Sequence, residues 1–287
     1  MKKLSAMICR LLPHIIFGGI ILAFLNIILD ILHFEVNIPK LYGGFHVAWL
    51  AASFFIAIYC AVRYPRLSDA SLRRGLLISS LVVIGLEIYK QIVFTFSFGD
   101  SLTIDYQWYI FPFQFCSTPM YVGLAAALVR NRKIHGCLCA YLASFSFFAG
   151  LAVMFYPSTV FTDTLGVNIQ TMVCHGLMVS TGIYLLFSGH VKPNLKTLLR
   201  AMPVFVVLLV SAMVMNEAAY RAGIIRTETF NMFFISPYCA PSLPVYSLVQ
   251  AAVPYPISVI VYFCGFTLAA GIVLALCALI QSRIRHK

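Results

Sequence analysis

Residues 106–121 read Tyr-Gln-Trp-Tyr-Ile-Phe-Pro-Phe-Gln-Phe-Cys-Ser-Thr-Pro-Met-Tyr. The stretch is apolar enough to lie among hydrocarbon chains, yet it holds Gln114, Cys116, Ser117 and Thr118 between Pro112 and Pro119. Each proline removes a backbone donor from a helix, and lipid offers nothing in its place. A segment that only has to cross a bilayer gains nothing from such a pattern. The shape around Cys116 is therefore expected to serve a site.

Outward from this stretch the chain has the same character. Of its 287 residues 61% are hydrophobic and 10% charged, with a mean hydropathy of +0.93, which excludes a soluble globular domain. Eight apolar segments approach the roughly 20 residues that a bilayer core requires: about 11–33, 42–62, 76–98, 109–129, 136–156, 168–188, 200–216 and 257–280. The expected fold is an all-α polytopic membrane protein, a single transmembrane helical domain over 1–287 with a bundle of about eight helices. The seventh segment is the shortest. The first follows Lys2, Lys3 and Arg10, but it exceeds an h-region and lacks a small-residue cleavage site, so it is read as a retained anchor.

The net charge of +11 follows membrane orientation. Lys2, Lys3 and Arg10, Arg63, Arg66, Arg73 and Arg74, Arg130, Arg132 and Lys133, Lys192, Lys196 and Arg200, and Arg283, Arg285 and Lys287 all fall at the termini or in alternate loops. This asymmetry predicts both termini in the cytoplasm and needs no nucleic-acid partner. The nine cysteines show no paired zinc spacing, so no metal, cofactor or disulfide framework is expected. A long stretch over about 217–256 is rich in proline, aromatic and apolar residues. It is expected to lie on the outer face or fold back over the bundle.

Ionisable groups within spanning segments mark cavities or bundle interiors. Segment three carries Glu87, Lys90 and Gln91, with Ser80 on the same helical face; mutual neutralisation of Glu87 and Lys90 is one reading. Segment six carries His175 with Asn168, Thr171 and Gly182 on one face and Cys174 beside it. An interhelical hydrogen bond would also account for a lone histidine here. Counted from their outer ends, Cys116 and His175 both lie about 10 Å deep, Lys90 about 12 Å and Glu87 about 16 Å. Cysteine beside histidine can form an acyl intermediate, because imidazole takes the thiol proton before sulfur attacks a carbonyl. Gln114 or Ser117 is placed to hold the oxyanion. Cys174 points about 100° away from its neighbour His175 and reads as packing. Cys137 and Cys139 also read as packing, His46 as a member of the same layer or a surface cap, and Asn231 as a polar exception in an apolar run.

The motif at 111–121, His175 in segment six and Asn231-Met232-Phe233-Phe234 after segment seven resemble the YwaF-like bacterial integral membrane proteins. That group is similar to the eukaryotic transmembrane protein 164 acyltransferases and, more remotely, to membrane hydrolases of lipid esters that use threonine and histidine. The resemblance implies an acyltransferase of the bacterial plasma membrane that takes an acyl chain from phospholipid onto cysteine and passes it to a lysophospholipid. On that pattern Cys116 matches the nucleophile and His175 the histidine. Glu87, Lys90, Gln91, Gln114, Ser117, Thr171 and Asn231 are the expected cavity residues. One departure is Gln114, which stands where many bacterial members carry histidine two positions before the cysteine. Two other readings remain open: a transporter or binding protein using Glu87, Lys90 and His175 as a substrate or proton site, and a structural protein with a buried polar network.

Overall fold

A computed structural model describes residues 24–285 except 65, 99–100, 227–228 and 241–242. Residues 11–23 of the first predicted span, and with them Lys2, Lys3, Arg10, Pro241 and Lys287, lie outside the described residues. The helices are α1 (24–32), α2 (Gly44–Arg63), α3 (Asp69–Thr95), α4 (Thr118–Leu128), α5 (Arg132–Tyr141), α6 (Phe147–Phe155), α7 (Leu165–Phe187), α8 (Leu195–Arg221), α9 (Pro244–Ala252) and α10 (Tyr255–Arg285). A π-helical turn, Leu142–Ser146, joins α5 and α6 into one rod. Among the described residues α2, α3, the α5–α6 rod, α7, α8 and α10 are long and apolar enough to cross a membrane. The chain is an integral, all-α polytopic membrane protein.

Local chemistry sets the helix starts. Ser68 caps α3 by accepting from Ser71 N (3.2 Å), Asn131 caps α5 by accepting from Lys133 N and Ile134 N, and Asn194 caps α8 by accepting from Thr197 N. These caps satisfy amide donors that the first helical turn leaves open. They also extend two spans beyond the predicted limits. Segment three begins at Asp69 rather than 76 and ends at Thr95, where the chain turns into the antiparallel pair β1 (Phe96–Phe98) and β2 (Leu102–Ile104). Segment seven, predicted as the shortest, is a helix of 27 residues.

The largest departure is segment four. Residues 109–129 are not one helix: a 3-10 turn (Trp108–Ile110) and a run of turns lead into α4, which has 11 residues. At 1.5 Å per residue α4 is about 16 Å long, roughly half a bilayer core. Pro112 and Pro119 explain the break, because neither can donate to a preceding turn. The freed carbonyls find protein partners: Gln91 Nε2 donates to Ile110 O (2.9 Å), Tyr121 OH to Pro112 O (2.8 Å) and Thr118 Oγ1 to Phe115 O (2.9 Å). Irregular backbone persists at membrane depth only where protein buries it in this way.

α7 is the centre of the bundle and packs against α2, α3 and α6. Small residues permit the close approaches: a Cβ on Gly176 would come within 2.5 Å of Ser53 Oγ on α2, and one on Gly123 within 2.5 Å of Ser80 Oγ on α3. At the far end of α4, Arg73 Nη1 donates to the carbonyls of Ala126, Ala127 and Val129 (2.6–3.2 Å). One guanidinium thus serves carbonyls that the end of a short helix leaves open.

The stretch after α8 is inserted among the helices. Phe230, Met232, Phe233 and Ile235 are buried, while Asn216 of α8 accepts from Met232 N (2.8 Å) and donates to Met232 O (3.0 Å). Phe233 and Phe234 both adopt left-handed backbone (φ 58° and 59°). Two consecutive non-glycine residues there are costly and must be held by their surroundings.

Candidate functional site

The polar residues read from α3 form a cluster. Lys90 Nζ lies 2.8 Å from Glu87 Oε1, and Gln91 Nε2 donates to the same oxygen at 2.8 Å. The other carboxylate oxygen accepts from Gln170 Nε2 at 3.5 Å, and Gln170 Oε1 accepts from Thr171 Oγ1 at 3.4 Å. His175 Nδ1 then donates to Thr171 O at 2.7 Å. The two longer contacts are weak, but the order is continuous: Glu87, Gln170, Thr171, His175. Glu87 is 6% exposed and held by a cation and two amides, as a buried carboxylate requires. Neutralisation of Glu87 by Lys90 is present, and the pair also belongs to a chain that ends on the histidine.

The bond at Nδ1 fixes the state of His175. A carbonyl oxygen only accepts, so Nδ1 carries the hydrogen, and in the neutral ring Nε2 carries a lone pair. Nε2 is buried without a hydrogen-bond partner. His46 shows the alternative. It is fully buried, its Nδ1 accepts from Tyr42 N (2.9 Å) and its Nε2 donates to Met154 O (2.8 Å). Both nitrogens are spent on backbone, which gives His46 a structural role.

Cys116 is half-buried and lines a cavity of about 30 Å³ with Ser80, Pro119, Gly123, Ser146 and Cys174. That volume admits roughly one or two waters. Met178, one turn beyond His175 on α7, lines it too. The charges of Glu87 and Lys90 both act on the thiols of Cys116 and Cys174. Cys174, expected to serve packing alone, shares the cavity of Cys116.

Two residues of this region, Ser146 and Gln170, escaped the sequence reading, and a third, Cys174, was read there as packing. Ser146 lies in the π turn, is 1% exposed, lines the Cys116 cavity and has no partner for its hydroxyl. Single π turns recur at functional sites, but nothing in the residue order marks one. Gln170 and Cys174 had a signal in their proximity to His175 on a mostly apolar helix. Gln114 and Asn231 instead hold the inserted loop. Gln114 donates to Asn231 O (3.0 Å) and accepts from Phe233 N (3.1 Å), and Asn231 Oδ1 accepts from Ser236 N (2.8 Å). Asn168 pairs with both backbone groups of Thr162.

A family model, the TMEM164 family, matches residues 41–280. The chain belongs to the TMEM164 family. The match covers α2 through nearly all of α10, together with every candidate site residue, and bears out the resemblance to the transmembrane protein 164 group. The YwaF-like label is compatible with it. No curated protein and no solved structure matches the chain.

Proposed function

We propose that this TMEM164-family protein is a membrane-embedded lipid acyltransferase, or acyl-ester hydrolase, working through Cys116. The observation that carries the reading is a thiol on a broken span that lines a cavity with Cys174 and Met178, which flank on α7 a histidine whose Nε2 is held unprotonated and unpartnered. In the proposed reaction His175 Nε2 takes the proton of Cys116 Sγ as sulfur bonds to the carbonyl carbon of a phospholipid ester. The ester C–O bond breaks, the leaving lysolipid oxygen takes the proton from His175, and the acyl chain remains on sulfur as a thioester. A second lysophospholipid hydroxyl, or water, reverses these steps. Ser146 is the donor best placed for the developing oxyanion, since its hydroxyl is otherwise unused in the cavity. Glu87, Gln170 and Thr171 position His175.

The same proposal places eight spans in the membrane, both termini in the cytoplasm and the cysteine in the outer half. It is supported by the gathering of Arg63, Arg66, Arg73, Arg74, Arg130, Arg132, Lys133, Lys192, Lys196 and Arg283 at one end of the described bundle. The deciding experiment is mass spectrometry of protein purified in phospholipid nanodiscs. A thioester-linked acyl group is expected on the Cys116 peptide and absent from Cys116→Ala; the same acyl-protein in that variant ends the idea.

A second reading is a transporter with Glu87, Lys90 and His175 on the substrate or proton path. In its favour, Ser79, Ser80 and Thr181 continue the cavity away from Glu87. Liposome flux that falls in Glu87→Gln while acylation is absent would select it.

A further inference from the structure

A second space adjoins the Cys116 cavity at Thr181. Leu76, Ser79 and Thr181 line the cavity and also line this space, about 230 Å³, between α3 and α7. This crevice continues past Leu72, Gly75, Ser180 and Leu185. Its floor is closed where Tyr184 OH accepts from Leu67 N at 3.1 Å. Gly75 is exposed and Ser79, Ser180 and Thr181 are half-buried, so the crevice opens sideways on the bundle surface, at membrane depth. Ser79 spends its hydroxyl on Leu76 O (3.1 Å), which leaves a mostly apolar wall.

Along α3 the lining runs from Val83 beside the cavity to Leu72 near the floor. Those 12 residues span roughly 16 Å at the α-helical rise, about half of a ~30 Å hydrocarbon core. One leaflet's worth of acyl chain has that length. The chain would lie with its ester end toward Cys116, Glu87 and Lys90 and its methyl end toward Tyr184.

We infer that the α3–α7 crevice binds the fatty acyl chain whose ester is presented to Cys116, and that its depth selects acyl chain length. The inference rests on the proposed acyl transfer for the chain's fate, but binding of the tail does not depend on catalysis. The occupant follows from adjacency: a thioester on Cys116 must place its tail somewhere, and the crevice shares three wall residues with the cysteine's own cavity.

Gly75 provides the test. A Cβ added there meets nothing within 4 Å, so Gly75→Phe puts a ring into the crevice without a backbone clash, and Gly75→Ala is the control. Nanodiscs containing equal amounts of phosphatidylglycerol with decanoyl, myristoyl and oleoyl chains are supplied to the full chain. The wild type is expected to carry mainly long chains on Cys116. Gly75→Phe is expected to shift the long-to-short ratio by roughly tenfold or more, the cost of losing two or three buried methylenes. An unchanged ratio overturns the inference while leaving acyl transfer in place.

A second measurement is independent of turnover. Phospholipid carrying a diazirine near its methyl end is photolysed with Cys116→Ala protein and the labelled peptides are mapped. Label on Leu72, Ser180 or Leu185 that falls severalfold in Gly75→Phe supports the crevice. Label confined to outward residues such as Ile78 and Phe55 overturns it. Crevice labelling without any adduct on wild-type Cys116 keeps the tail site and removes the transfer reaction.

Discussion

Two neighbourhoods of this bundle are built from the same residue types and end in opposite conditions. Near the basic end Cys139 lies 3.5 Å from His135 Nε2, and His135 Nδ1 donates to Ala126 O at 2.8 Å. Thiol, imidazole and orienting carbonyl are all present, but every ring nitrogen is used and Cys139 is 4% exposed. The histidine ties α5, and Arg73 ties α3, to the carboxyl end of α4. In the other neighbourhood His175 has the same Nδ1-to-carbonyl bond and nothing on Nε2, and the Ser146 hydroxyl beside Cys116 is also unused. Buried polar groups are almost always paired, so the unused nitrogen and hydroxyl set this neighbourhood apart from the saturated pair. The constellation of residues alone does not separate the two.

The strongest way to break this comparison is at the histidines. His175→Ala is expected to lower acyl-Cys116 formation by about 10²- to 10⁴-fold, the usual contribution of a general base. Quenched-flow mass spectrometry of the Cys116 peptide measures it, and an unaltered rate would reduce His175 to packing. Next in size is the support of the ring. Glu87→Ala leaves the Lys90 ammonium without its 2.8 Å partner in a mostly buried position, and losing one member of such a pair costs about 3–5 kcal/mol. The melting temperature in nanodiscs should fall substantially. Lys90→Met alongside Glu87→Met should recover most of it, because an apolar pair of similar volume carries no stranded charge.

The inserted loop gives a smaller, purely structural effect. Asn216→Ala strands Met232 N–H inside the bundle and leaves Met232 C=O only the 3.4 Å bond from Ile235 N, at about 1–3 kcal/mol for an unsatisfied group. It also releases the left-handed Phe233 and Phe234, so hydrogen exchange at 231–236 should accelerate while acylation per folded molecule changes little.

These expectations show how far the residue order can be read. Six spans were legible among the described residues because hydropathy is a property of single segments. Glu87 and Lys90 were legible because an intrahelical spacing of three fixes their proximity. The break before α4 was half legible: Pro112 and Pro119 announced irregular backbone, but its partners, Gln91, Tyr121 and the loop at 231–233, come from distant positions. Ser146 was hidden because a π turn has no residue signature. The place of Cys174 on the Cys116 cavity was hidden for a related reason: an angle to His175 says nothing about which neighbour faces the thiol, and Gly123 packs against Ser80 in the same wall.

The smallest effect is also the sharpest control. His135→Ala removes one ring donor from Ala126 O, which keeps its bond from Arg73 Nη1 (3.0 Å), and one acceptor from the Cys139 thiol. With the carbonyl still served, the cost is about 1 kcal/mol of stability, a shift of a few degrees at most in a chain of this size. Cys116 acylation should proceed at the wild-type rate. If His135→Ala abolishes the adduct while His175→Ala spares it, the two neighbourhoods exchange roles, and the saturated thiol–imidazole pair near the basic end becomes the reactive one. The unpaired nitrogen of His175 would then have to be explained as a void in the packing, an outcome that the continuous chain from Glu87 through Gln170 and Thr171 argues against.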